Sequence, residues 1–188
     1  VWDLTTGKRH DLRVDLPGAV FVQDWWPDGA ALLLKNRFEG RDRLYRYDLS
    51  TAALDLIPTD PGVVWRARVR PDGRVWFLHE QGHRQRIVLD DAGVELLTEG
   101  DVRGPTGRAY ESWHFENPHG QTVHGFFVTP DDSGPFPVIM FVHGGPTWHM
   151  AFFWYPLIAH ITSRGWTVIA PNYRGSTGYG RAWQTANR

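Results

Sequence analysis

Cysteine is absent from the 188 residues, which excludes disulfides, thiolate metal sites and a cysteine nucleophile. That composition suits a reducing compartment, and a cytoplasmic location is the expectation. Lysine is scarce, with only Lys8 and Lys35, although arginine keeps the net charge at −1. A chain so nearly neutral carries no global field to recruit nucleic acid or an anionic membrane, so neither is expected as a partner. Long apolar runs are missing as well. The longest, Met150 to Ile161, is interrupted by Pro156 and His160 and is too short to span a bilayer. No signal-peptide pattern opens the chain, and there is no initiator methionine. The opening residues, Val1-Trp2-Asp3-Leu4, read as the middle of a strand, so a cut N-terminus is expected.

What is present is a folded composition: 41% hydrophobic, 14% aromatic, with ten tryptophans, far from that of a disordered chain. The first hundred residues repeat. Trp26-Pro27-Asp28-Gly29 returns as Arg70-Pro71-Asp72-Gly73, 44 residues on, and Trp2-Asp3-Leu4-Thr5-Thr6-Gly7 returns as Tyr47-Asp48-Leu49-Ser50-Thr51-Ala52, 45 residues on. A weaker third copy is Leu89-Asp90-Asp91-Ala92-Gly93. Periods of this length filled with short strands indicate propeller blades. Within one period, strands are expected at 20–25, 31–34, 44–49 and 54–57, with a turn at Pro27-Asp28-Gly29 and a polar hairpin tip at Glu39-Gly40-Arg41-Asp42.

Between Thr98 and Arg108 the chain is dense in Gly, Pro and Thr and has no periodicity, which marks a domain boundary. Beyond it, 110–116 and 122–129 are expected as strands around the turn Asn117-Pro118-His119-Gly120. The apolar run 138–142 suits a strand covered on both faces. A helix is expected from Pro156, with Trp154, Leu157, Ile158 and Ile161 on its apolar face and Gly165 just past its end. Trp166 to Ala170 completes a strand–helix–strand unit, so this second region is α/β.

The chemistry lies in two motifs. His143-Gly144-Gly145-Pro146 follows directly on the apolar strand, where glycines let backbone N–H groups approach a ligand closely and stabilise an oxyanion. Asn172-Tyr173-Arg174-Gly175-Ser176-Thr177-Gly178-Tyr179-Gly180 follows the next strand. Together with the repeat, these motifs resemble the prolyl oligopeptidase family of serine peptidases, which joins a β-propeller to a C-terminal α/β-hydrolase domain. The resemblance implies that residues 1–100 are the last, all-β propeller blades and that 101–188 begin a partial α/β-hydrolase catalytic domain.

It further implies that Gly145 gives its backbone N–H to the oxyanion, in a loop that includes Gly144 and His143. Histidine at 143 is similar to the acylaminoacyl-peptidase branch, where other branches carry tyrosine. Ser176 lacks the G-x-S-x-G context of a nucleophile, as do Ser50, Ser112, Ser133 and Ser163. The resemblance places the Ser, Asp and His of the triad beyond Arg188. Arg174 is a candidate for binding a substrate carboxylate, against the blander reading that it shapes its loop.

The implied activity is hydrolysis of short peptides by acyl transfer, with no metal or organic cofactor. The alternatives are an esterase of the same fold and a non-catalytic propeller that binds peptides. The chain alone is expected to be inactive, and to aggregate or form homo-oligomers through an exposed hydrophobic sheet edge.

Two side-chain groups draw other readings. His114, His119 and His124 are spaced by five, but on two strands flanking a turn this spacing does not bring three imidazoles together. Arg66, Arg68 and Arg70 alternate along a strand, where they would line a channel or, more simply, form a solvated or salt-bridged face.

Overall fold

The computed structural model describes residues 1–98, 107–131, 133–145 and 147–187. Most of the boundary expected between Thr98 and Arg108 lies outside the described residues, as does Pro146.

Two four-stranded sheets come first, each an antiparallel meander in sequence order. The first contains β1 (Ala19–Trp25), β2 (Ala31–Phe38), β3 (Arg41–Asp48) and β4 (Leu54–Ile57). The second contains β5 (Val63–Val69), β6 (Val75–Gln81), β7 (Arg84–Asp90) and β8 (Glu95–Thr98). β1 and β5, like β2 and β6, begin 44 residues apart, so the sequence period is a structural period. Both Pro-Asp-Gly turns close with the same bond, Gly29 N–H to Trp26 O and Gly73 N–H to Arg70 O, each 2.9 Å. β1 and β5 also carry matching irregularities, at Val22/Asp24 and Val64/Arg66.

The other repeat anchor is an aspartate. Asp48 Oδ1 accepts the N–H groups of Ser50 and Thr51, and Asp90 Oδ1 accepts those of Ala92 and Val94. Asp3 Oδ1 accepts those of Thr5 and Thr6. Such local bonds to the backbone select turns over strand, and they hold the Asp48 carboxyl well below its ordinary range. The expected strand at Val1–Leu4 is therefore a turn, with one bridge from Trp2 to Arg9.

A core of Leu33, Leu44, Val64, Ala67, Val75 and Phe77 lies between the two sheets. Beside it sits a buried ion cluster. Asp42 Oδ1 accepts from Arg37 Nε at 2.8 Å, and its Oδ2 accepts from the Val64 N–H at 3.0 Å. Lys35 Nζ lies 3.7 Å from Asp42 and donates to Val64 O at 2.9 Å; burial lowers the Lys35 pKa, against the pull of Asp42. The polar tip expected at 39–42 is thus only Glu39-Gly40, both at positive φ, while Asp42 is 2% exposed. Of the alternating arginines, Arg68 on β5 donates to Gln23 O at 2.6 Å, and Arg70, just past the strand, stacks over Trp76 at 3.9 Å.

The third sheet is mixed. β9 (Glu111–Glu116) and β10 (Thr122–Val128) form the expected hairpin, followed by β11 (Val138–Met140), α1 (Pro156–Ser163), β12 (Thr167–Pro171) and α2 (Arg181–Thr185). The strand order is β11-β12-β10-β9; β11 and β12 are parallel and β12 and β10 antiparallel. β11-α1-β12 is the expected strand–helix–strand unit, and Gly165 ends the helix with its N–H on Thr162 O at 3.0 Å.

Two expectations fail here. The run 138–142 is not covered on both faces: Val138 and Met140 on the edge strand β11, and Val142 just past it, are each more than half exposed. The buried face of α1 is Ile158, Ala159 and Thr162, and Leu157 is exposed. Thr162 joins that face because its hydroxyl satisfies itself on Ile158 O and Ala159 O, a device that apolar periodicity does not register. No helix among the described residues is long and apolar enough to cross a membrane.

The first sheet reaches the third through the β2–β3 hairpin. Phe152 N–H donates to Gly40 O at 2.8 Å. A Cβ at Gly40 would lie 2.7 Å from the Phe126 ring, so the tip must be glycine to seat. Arg41 lies over the Phe126 and Phe152 rings, at 5.2 and 4.7 Å, and donates to Ser112 Oγ at 2.8 Å.

Candidate active site

Pairing of β11 with β12 continues one residue, through Phe141 N–H to Ile169 O at 2.8 Å, and then releases the chain into the loop that begins at His143. The two sequence motifs meet here. His143 is 3% exposed, stacked on Tyr173 with ring centroids 4.4 Å apart. Its Nδ1 lies 3.0 Å from Gly144 O, and its Nε2 lies 2.8 Å from Ser176 Oγ. A carbonyl can only accept, so the hydrogen sits on Nδ1, and Nε2 accepts from the serine. Burial lowers the His143 pKa below the usual imidazole value, favouring this neutral form. Tyr173 Oη donates to His143 O.

Both ring nitrogens are therefore committed to the loop's own geometry. Ser176, fully buried, is the prop beneath the loop. Sequence reasoning dismissed it as a nucleophile but gave no sign of this partner.

Gly145 is exposed at φ +130°. A Cβ there would lie 3.0 Å from Thr147 N and 3.1 Å from Trp148 Cβ, so only glycine fits. Among the described residues its N–H meets no acceptor. Gly144 is different: a Cβ there would meet open space. Arg174 is exposed, with no ion pair among the described residues.

Asn172, unremarked by itself in the sequence, fastens the two segments. Its Nδ2 donates to Met150 O at 3.0 Å and to Tyr179 Oη at 2.7 Å, and its Oδ1 accepts from Met150 N–H at 2.7 Å. Thr177 N–H donates to Trp148 O at 3.0 Å, and Thr177 Oγ1 lies 2.7 Å from His149 Nδ1. What results is a pinned loop with an N–H that meets no acceptor among the described residues, on an exposed glycine-only position. Such a donor can hold the oxygen of a carbonyl under attack.

His149 carries a pH consequence. Burial pushes its pKa from 6.5 down to about 4, with Arg37 adding to the effect. Below pH 6.5 the unfolded chain takes up a proton that the folded ring refuses. Its contribution to stability is therefore complete above pH 6.5 and is lost as pH falls towards 4. In urea unfolding between pH 7 and 4, His149→Gln should make the acid loss shallower than in the parent; an unchanged slope would rule His149 out as a source.

The chlorophyllase family profile matches residues 111–184, the third sheet and its loops. Dipeptidyl-peptidase 5 of Aspergillus fumigatus is 26% identical over 176 residues, covering 84% of this chain and 24% of that protein. A puromycin-hydrolysing peptidase of Mycobacterium tuberculosis superposes with a TM-score of 0.68 at 25% identity, covering 86% of this chain and 27% of its own. A prolyl endopeptidase structure matches the whole chain with a TM-score of 0.76 at 18% identity, over 29% of its own length. The last three matches take in the repeat region and the motif region together.

The chain is similar to peptidases of the prolyl oligopeptidase family. It spans about a quarter of the length of the curated relatives of that family that it matches. The relatives named here are peptidases.

Proposed function

We propose that this chain is part of a serine peptidase that hydrolyses short peptides. In this reading the two meander sheets are propeller blades, and residues from about 107 onward are the first part of an α/β-hydrolase domain. The Gly145 N–H is one of two oxyanion donors. A serine outside these 188 residues attacks the peptide carbonyl, the oxyanion is held partly by Gly145, the amine leaves, and water releases the acyl group. His143 acts by fixing the loop, with its ring closed off from the substrate. Arg174, exposed on the second motif, is the candidate for a substrate carboxylate.

The observation that carries the reading is the Gly145 N–H: on an exposed residue, without an acceptor among the described residues, at a position where a side chain would be strained. The names of the relatives, a dipeptidyl-peptidase and a puromycin-hydrolysing peptidase, support a peptide or peptide-like substrate.

The test is turnover of dipeptidyl and longer peptidyl p-nitroanilides by the longest protein that carries this chain, together with labelling by a fluorophosphonate probe. Both are expected there, and neither in the 188 residues alone. Hydrolysis of p-nitrophenyl esters without hydrolysis of the anilides would replace the peptidase by an esterase. Peptide binding without probe labelling would replace it by a non-catalytic module.

A further inference from the structure

The histidine pair set aside on spacing converges after all, with a different third member. His114 on β9 and His124 on β10 are direct partners in the hairpin register, with ring centroids 4.9 Å apart. His119 stays in the turn. The third group arrives from the first sheet: Glu39, at the tip of the β2–β3 hairpin, places Oε1 3.0 Å from His114 Nε2.

We propose that Glu39, His114 and His124 form a zinc-class divalent metal site that clamps the first sheet to the third.

One ligand atom from each residue lies within 4.8 Å of the other two. Zinc bonds to imidazole nitrogen and carboxylate oxygen are about 2.0–2.2 Å long, so a tetrahedral site needs donors roughly 3.3–3.5 Å apart. The remaining approach falls to Glu39 and His114, whose side chains are 31% and 45% exposed and free to adjust at small cost. Two imidazoles and one carboxylate suit zinc and its first-row neighbours, whereas magnesium and calcium take oxygen-only shells. A fourth position open to water completes the shell.

The buried ligand already has an outer support of the kind metal-bound histidines use. His124 Nδ1 is held by Tyr179 Oη, which Asn172 Nδ2 holds in turn at 2.7 Å. That leaves His124 Nε2, now 3.2 Å from Ser112 Oγ, as the atom that turns to the ion. In the bound form the ring hydrogen sits on Nδ1, and Tyr179 Oη accepts it. Arg41, which donates to Ser112 Oγ, is a neighbouring cation; it opposes a dication and keeps the affinity moderate. The site adds no step to peptide hydrolysis and stands or falls apart from that reading.

The test uses the longest protein that carries this chain, stripped of metal. Zinc chloride should bind one to one by calorimetry and raise the melting temperature by about 3–8 °C at saturating metal, and magnesium should not. Cobalt(II) should give the visible absorption of a four-coordinate nitrogen–oxygen site. His114→Ala and Glu39→Gln, both at exposed side chains, should melt within a degree or two of the parent without metal and lose the zinc response. His119→Ala should keep it. A rise equal in parent and variants, or no one-to-one binding, overturns the proposal.

Discussion

Asp42→Ala is expected to cost about 3–5 kcal/mol of stability, the range for breaking a buried ion cluster by removing one partner. The aspartate is the only anion of a buried trio with Lys35 and Arg37 and also the acceptor for the Val64 N–H. Alanine would strand a lysine that is 7% exposed and leave a backbone donor without its acceptor. Because Asp42 belongs to β3 and Val64 to β5, the loss should loosen the first sheet from the second. Asp42→Asn keeps an acceptor for Val64 and should recover part of the deficit. Replacing Lys35, Arg37 and Asp42 together by apolar residues of similar volume should recover more, since the cost lies in uncompensated charge. Urea unfolding reads all three, and an Asp42→Ala variant within 1 kcal/mol of the parent would refute the account.

The second large effect concerns turnover. In the longest protein carrying this chain, Gly145→Pro should lower kcat on peptide substrates by roughly 10²-fold or more, the usual consequence of losing one oxyanion donor. Proline removes the N–H and cannot adopt φ +130°. KM should move little, because the donor acts on charge that develops in the transition state. Gly144→Ala is the matched control: its Cβ enters open space, and turnover should stay within a few-fold of the parent. Equal losses at both positions would mean that loop flexibility, and not one N–H, sets the rate.

Much of the architecture was legible because it is written in local rules. The Pro-Asp-Gly turns and the Asx-type turns at Asp3, Asp48 and Asp90 are satisfied within a few residues, so their spacing in the sequence is the spacing of the sheets. The strand–helix–strand unit was readable for the same reason.

What escaped was non-local. Glu39 lies 75 residues from His114, and no pattern in either segment announces the other. Asp42 read as a hairpin-tip residue because its cationic partners are spread over β2 and its backbone partner lies on another sheet. Val138, Met140 and Val142 read as fully covered because an apolar run reports what a strand requires, not which neighbours it has. For the site, the motifs identified the glycine loop, but the buried Ser176–His143–Tyr173 prop and the Asn172 fastening emerge only once the two motifs face each other.

The β2–β3 hairpin carries a consequence for the time course of folding. Its two strands pair across a two-residue turn and can form in microseconds. Its tip, however, is seated by residues 71 and 75 positions later, and by Phe152 later still. Contacts so distant along the chain close slowly. During synthesis the first sheet would therefore form early and wait, with Glu39-Gly40-Arg41 uncovered, until the third sheet emerges to receive it.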